Sequence, residues 1–409
     1  MHQPTRNGSQ KDEGQAYGRA VPKYDAELVE TGPGTPCGEL MRRYWQPVAV
    51  SDRVAMRPQN VRVLGEDLIL FRDGKGRPGL LTPRCAHRGA TLLYGRVDEN
   101  GIRCCYHGWQ FDVKGRCIDQ PCEPQGGTRK DRVRQPWYPL EERYGLAWAY
   151  MGPPAKKPVL PRWDLLEDLA PDEKIAVDTS SLSAGGDADI EVVPWNWLQD
   201  WENTMDPFHT AILHSSFSGS QFSPDMAVMP DATWDPTDLG MRYCAYRKLA
   251  DGRELDRIVQ VIFPNARSVP NVNLVAGRAH QIGWLVPVDD QHHRFFHATR
   301  VSKDHVGVPL NTAPEFGGKR WSEMTDEEHY ITPGDWEAQL GQGRITLHSE
   351  EHLMTSDRGV AMLRRKLRDQ IKIVREGGDP VGVAFDSSNS LLRTGAGNYY
   401  RKTPALAPA

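Results

Sequence analysis

The sequence predicts an α+β fold in two parts: short strands over residues 44–155, then a mixed region that ends in helix. Three observations predict it. Between 44 and 153, short apolar runs are separated by Gly, Pro, Asp and Asn. Within 226–300 the segments MRYCAYRKL, RIVQVIFPN, HQIGWLVPV and HHRFFHATRVS read as strands. Toward the C-terminus, apolar residues recur at three- and four-residue steps instead. The divisions are 1–43 (tail and lead-in), 44–155 and 156–409, with the boundary in the proline-rich GPPAKKP.

In chain order, residues 1–20 are polar and expected to be poorly ordered. TGPGTPCGEL is a turn-rich lead-in. VRVLGEDLILF reads as two strands around Gly65-Glu66-Asp67, and FRDGKGRPGLL as a hairpin with a glycine-rich loop. GRVDENGIRC carries Asn100-Gly101, a strong short hairpin signal. PWNWLQDWENTMDPFHTAILHSSF is aromatic and helix-like at its start, and 303–334 is polar without periodicity. Ser356 is placed to cap a helix whose apolar positions are Val360, Leu363, Leu367, Ile371 and Val374, with Gly377-Gly378 to stop it. TPALAPA reads as a loose tail.

Composition excludes several classes. Of 409 residues, 39% are hydrophobic and 25% charged, with a formal net charge of −4. That balance speaks against nucleic-acid and membrane-surface partners. No apolar run approaches the roughly 20 residues that span a bilayer. The polar opening lacks an apolar signal core, so a cytoplasmic protein is expected.

Five of the seven cysteines fall between 85 and 122. In a large cytoplasmic chain, such clustering with histidines points to metal rather than disulfides. The sequence reads Cys85-Ala-His87-Arg-Gly and later Cys104-Cys-Tyr-His107-Gly, so each half puts one thiol and one imidazole on a tight loop. Two thiolates on one iron and two imidazoles on the other make a Rieske [2Fe–2S] centre. A structural zinc site is the alternative, but zinc fingers usually pair like ligands. Cys105 competes with Cys104; Cys-x-x-His spacing favours Cys104. Cys117 and Cys122 read as packing residues.

A second metal site is indicated by Asn203-Thr-Met-Asp206-Pro-Phe-His209 and the later His214. Two histidines and one carboxylate hold Fe(II) with positions left open. Five residues turn about 140° on an ideal helix, so the segment must bend or bulge to aim both rings at one ion. Pro207 is a local cause. Asp206, read as one helical turn before His209, is placed to accept a hydrogen bond from its other nitrogen. The tryptophans at 195, 197 and 201 read as core.

On CAHRGA, RCCYHGW, ENTMDPFHTAILH and the order of the two sites, the chain resembles the Rieske non-haem iron aromatic-ring oxygenases, oxygenase (α) component. GPGTPCGELMRRYWQPVAVS and EEHLMTSDRGVAMLRRKL are similar to the branch with phthalate dioxygenase, phenoxybenzoate dioxygenase and dehydrodivanillate O-demethylase. The resemblance implies an all-β Rieske domain and a helix-grip (START-like) catalytic domain. It implies a homotrimeric ring, or stacked rings, in which the cluster of one chain lies near the mononuclear iron of its neighbour. Asp206 then matches an aspartate bridging His209 to His107 of the adjacent chain, and Asn203 an asparagine near the iron. The third ligand matches Asp335 in Gly334-Asp335-Trp336, where the family often has Gln-Asp-Trp; Asp357 is the alternative.

The implied chemistry is hydroxylation of an aromatic carboxylate with O₂, as ring- or ether-cleaving dioxygenation or O-demethylation in aromatic catabolism. Electrons come from NAD(P)H through a separate flavin/iron–sulfur reductase. Arg247, Arg267 and Arg278 lie in the strand region as candidates to bind the carboxylate, without a choice among them. The rival function is a Rieske electron carrier, which needs only a short chain and one metal site.

Overall fold

The computed structural model describes residues 16, 18–219, 221–302 and 318–402. The expectations for 1–20 and for TPALAPA fall largely outside them, as does about half of the polar 303–334 stretch.

Residues 45–150 form three small antiparallel sheets. Leu146–Tyr150 lies between Trp45–Val50 and Leu140–Arg143. A second sheet runs Gln59–Val63, Glu66–Arg72, Pro78–Leu81, Trp137–Tyr138. A third runs Arg96–Asp98, Gly101–Arg103, Gln110–Phe111, Cys117–Asp119.

Two hairpins turn elsewhere than the sequence suggests. The first reverses through Leu64 and Gly65, at φ 48° and 77°, not at Gly65-Glu66-Asp67. A leucine is disfavoured in that left-handed region. Tertiary contact holds it: Leu64 is fully buried, and the Leu64 and Gly65 N–H groups donate to Pro287 O and Val288 O, both at 2.9 Å. The second turns at Glu99-Asn100, because Asp98 faces Gly101 in register. Gly101 is required for close approach instead: a Cβ there would lie 2.0 Å from Phe111 O.

Beyond residue 170 a nine-stranded sheet dominates, with neighbouring strands antiparallel. Its order is Lys174–Asp178, His292–Val301, Gln281–Asp289, Ala266–Ser268, Glu254–Ile262, Gly240–Lys248, Asp231–Pro236, and Gly397–Lys402 pairs with both Glu254–Ile262 and Gly277–Arg278. The four longest strands are those the sequence marks. On one face Met241, Tyr243, Ala245 and Arg247 are buried, as are Leu255, Arg257, Val259 and Val261 across from them. Period-two alternation puts each set on one side of the sheet.

Helices fill that side. Asn196 caps Trp197–Asn203, its Oδ1 accepting from Leu198 N–H at 3.0 Å. Trp201 donates to Ala266 O at 3.0 Å, which pins the helix to the sheet. The tryptophans at 195, 197 and 201 are all core. The long helix Arg358–Arg375 buries Leu363, Leu367 and Ile371, with Val360 and Val374 half-buried. Ser356 does not cap it. The N-cap is Asp357, whose carboxylate accepts from Met354 N–H at 2.7 Å, and Ser356 lies in the preceding 3₁₀ turn. Gly377, at φ 83°, follows its end. Buried Arg364 pairs with Glu202 and Glu351, tying this helix to the residue before Asn203.

The lead-in helices Ala26–Val29 and Pro36–Met41 pack on Arg358–Arg375. In the nominally aperiodic stretch, Thr325 opens a short helix, Asp326–Ile331, through a reciprocal cap with Glu328. Among the described residues, no helix is long and apolar enough to cross a membrane.

Candidate active site

The two Cys/His loops are built alike. Cys85 N–H donates to Ala90 O and Gly89 N–H to Cys85 O, both at 2.8 Å; Cys104 N–H donates to Trp109 O at 2.8 Å and Gly108 N–H to Cys104 O at 3.0 Å. Each tight turn needs a glycine at positive φ, 75° at Gly89 and 72° at Gly108. Gln135 braces the first loop, accepting from Ala86 N–H at 2.7 Å and donating to Arg84 O at 2.8 Å. The loops meet: the His87 and His107 rings are 4.5 Å apart, and Cys85 touches Cys104. Burial, with Cys104 beside it, pushes the Cys85 thiol up to about 11. His107 Nδ1 is buried without a hydrogen-bond partner. Two adjacent buried thiols and two converging imidazoles, one with an orphaned nitrogen, fit a [2Fe–2S] cluster with sulfur at one iron and nitrogen at the other.

Cys105 is exposed, whereas Cys104 is buried beside Cys85. Cys117 packs as expected. Cys122 does not pack; it is exposed, its Sγ 3.4 Å from His107 O.

The second site lies where two helical segments meet. Trp197–Asn203 stops before Pro207, and the chain resumes as His209–Ala211 followed by a π turn, Ile212–Phe217. Ser218 N–H donates to Leu213 O five residues back, and the Ser215 and Ser216 hydroxyls donate to Thr210 O and Ala211 O, also five back. Five-residue spacing is the π repeat, and it brings His209 and His214 onto one side of the segment. Their ring centroids are 5.4 Å apart.

Asp335, the first residue of the helix Asp335–Gly341, closes the set. Its Oδ1 is 3.7 Å from His209 Nε2 and 3.3 Å from His214 Nε2, and one ligand atom from each residue lies within 4.8 Å of the others. Asn203 Nδ2 donates to Asp335 Oδ1 at 3.1 Å. Burial opposes ionisation of Asp335, but His214, His209 and Asn203 outweigh it and hold the carboxyl far below the usual range. His214 Nδ1 is 2.6 Å from Gln221 Oε1, an oxygen that only accepts, so Nε2 presents its lone pair. That Nε2 is buried and makes no hydrogen bond, with Asp335 Oδ1 beside it. Imidazole, imidazole and carboxylate, with a buried orphan nitrogen among them, fit one Fe(II) ion.

Asp206 is not on the helix with His209; it lies in the link before Pro207. Its Oδ1 accepts from Phe208 N–H at 2.8 Å and its Oδ2 stands 3.4 Å from His209 Nδ1, close but off the hydrogen-bonding line. Asp357 is the N-cap of the long helix and belongs to no metal-binding group among the described residues.

A cavity of about 500 Å³ opens on His209, His214 and Asp335. That is ample for a one- or two-ring ligand. Arg257, Arg267, Arg278 and Arg300 reach it, as does Tyr243; Arg247 is buried behind.

Residues 44–139 match the Rieske [2Fe-2S] domain. The α subunit of phenoxybenzoate dioxygenase from Ectopseudomonas oleovorans is 54% identical over 95% of this chain and 94% of its own. The chain belongs to the Rieske non-haem iron oxygenases. Members are oxygenase components that join the cluster to a mononuclear iron and take electrons from a reductase. A tert-butanol monooxygenase / tert-amyl alcohol desaturase oxygenase subunit of Aquincola tertiaricarbonis is 38% identical over 89% of this chain and 79% of its own. The 5,5'-dehydrodivanillate O-demethylase oxygenase subunit of a Sphingobium species is 34% identical over 88% and 82%. Among solved structures, the QL mutant of NdmA from Pseudomonas putida CBB5 with caffeine has the same fold, with a TM-score of 0.59 at 21% identity, over 84% of this oxygenase and 94% of that chain.

Sequence reasoning missed Gln221 and Arg257. Gln221 lies seven residues past His214 in an irregular segment, with no local signal. In the iron-loaded oxygenase, Gln221→Leu is expected to lower iron affinity by about 10- to 100-fold, the cost of losing a partner that orients a metal ligand. Titration with a competing chelator measures it.

Proposed function

We propose that this chain is the terminal oxygenase of a multicomponent system that hydroxylates an aromatic carboxylate, using O₂ and electrons from an NAD(P)H-dependent reductase. One observation carries the reading: a Cys₂His₂ loop pair and a His₂Asp set that opens on a ligand-sized cavity occur in one chain. In this reading Cys85, His87, Cys104 and His107 hold the cluster, within a unit spanning 44–155. His209, His214 and Asp335 hold the iron, within 156–409. Bound there, the iron supplies the redox chemistry of O₂ activation. The chain's own residues position it: Gln221 fixes the ring of His214, and Asn203 fixes Asp335. Asp206 links His209 to His107 of a neighbouring copy in a homotrimer. The protein works in the cytoplasm, in keeping with seven unpaired cysteines.

A tert-alkanol substrate, as in one relative, is the second reading. The arginines around the cavity favour an anionic substrate over a neutral alcohol. The test is reconstitution with a compatible reductase and a panel of aromatic carboxylates, following O₂ uptake and products. Formaldehyde marks O-demethylation; a diol, or a phenol released from an ether, marks dioxygenation. Oxidation of tert-butanol with none of the aromatic acids consumed contradicts the reading.

A further inference from the structure

Three of the four arginines that reach the cavity have a carboxylate partner. Arg267 pairs with Asp200 at 3.4 Å, Arg278 with Asp164 at 2.6 Å, and Arg300 with Glu173. Arg257 has none among the described residues. Its Nη1 donates to Asn271 O and Asn398 Oδ1, both at 3.0 Å, its Nη2 to Pro270 O at 2.9 Å, and its Nε is buried without a partner. These neutral oxygens solvate the guanidinium but do not neutralise it. It is only 3% exposed, so the charge is shielded from water as well.

A second uncompensated cation stands behind it. Arg247, 1% exposed, donates from Nε to Val228 O at 2.9 Å and from Nη2 to Thr210 Oγ1 at 3.1 Å; its Nη1 is buried and unpaired. Burial pulls it down to about 10, with Arg257 adding repulsion. Arg257 lies opposite Ala245 in register, so Tyr243, Arg247 and Arg257 share one buried face of the sheet. Tyr243 stands beside Arg257 and lines the same cavity. Two buried guanidiniums without a counter-ion are costly. An anion entering the cavity relieves that cost, which no neutral ligand does.

We propose that Arg257, with Tyr243 beside it and Arg247 behind, is the subsite that takes the carboxylate of the substrate and holds the aromatic body toward His209, His214 and Asp335. The proposal rests on the aromatic-carboxylate reading above and adds the residue that selects for the acid. The anion bonds to Arg257 and turns its far end to the metal site.

The experiment measures equilibrium binding of phenoxybenzoate and of the corresponding amide to the iron-loaded protein. The wild type is expected to prefer the acid by at least about 30-fold, the scale of one buried charge pair. Arg257→Met is expected to abolish the preference while amide affinity stays within about threefold, a split that a purely structural role would not produce. Should that variant not retain its iron, Arg257→Lys is expected to weaken the acid alone, by about tenfold, through loss of the bidentate fork. Equal binding of acid and amide by the wild type, or a preference that survives in both variants, overturns the proposal. Turnover separates the two levels. Aromatic acids oxidised by Arg257→Met as by the wild type sink the subsite and leave the oxygenase reading standing. Acid bound through Arg257 while no aromatic compound is oxidised supports the subsite and sinks the aromatic oxygenation.

Discussion

Asp335→Ala is expected to release the mononuclear iron and lower turnover by at least about 100-fold, more than the loss of an outer partner costs. The Asp335 carboxylate lies against both His214 and His209 and receives Asn203. Without it two imidazoles remain, too few to hold Fe(II) against water and chelators. The fold should survive, because the substitution removes one acid from the first turn of a short helix, worth about 0.3–1 kcal/mol. The signature is therefore selective. Iron per chain falls by one, the reduced-state electron-spin signal of the cluster persists, and the thermal midpoint moves little. Wild-type iron content in the variant would remove Asp335 from the site.

Cys104→Ser is expected to abolish the cluster, whereas Cys105→Ser keeps it. The two positions are adjacent, but only Cys104 is buried against Cys85. Cys105 faces solvent, where substitutions usually change stability by less than about 0.5 kcal/mol. Cys104→Ser removes one of two sulfur ligands and leaves a buried loop pair with nothing to organise. Cluster absorbance and the mixed Cys/His electron-spin signal separate the variants. A cluster retained in Cys104→Ser and lost in Cys105→Ser would reverse the assignment.

The long strands and the helix at 358–375 were legible because their periodicity is set by one buried face each. The turn at Leu64-Gly65 was not, since it depends on Pro287 and Val288 in another sheet. His209 and His214 could be read as requiring a departure from α geometry, and the π turn supplies it. Asp335 could be named only through resemblance. It comes from a helix 132 residues beyond Asn203, and no local spacing encodes that meeting. Arg257 stayed hidden because alternation shows which face a residue takes but not whether a counter-ion waits there. Arg267 and Arg278, singled out from sequence, prove to have carboxylate partners.

The central claim is that the two sites serve one reaction. Single turnover tests it most directly: protein reduced chemically, freed of reductant, and mixed with O₂ and an aromatic carboxylate. The wild type is expected to form hydroxylated product as its cluster reoxidises. His209→Ala is expected to carry a reducible cluster and form none. Product from His209→Ala at the wild-type yield would contradict the account.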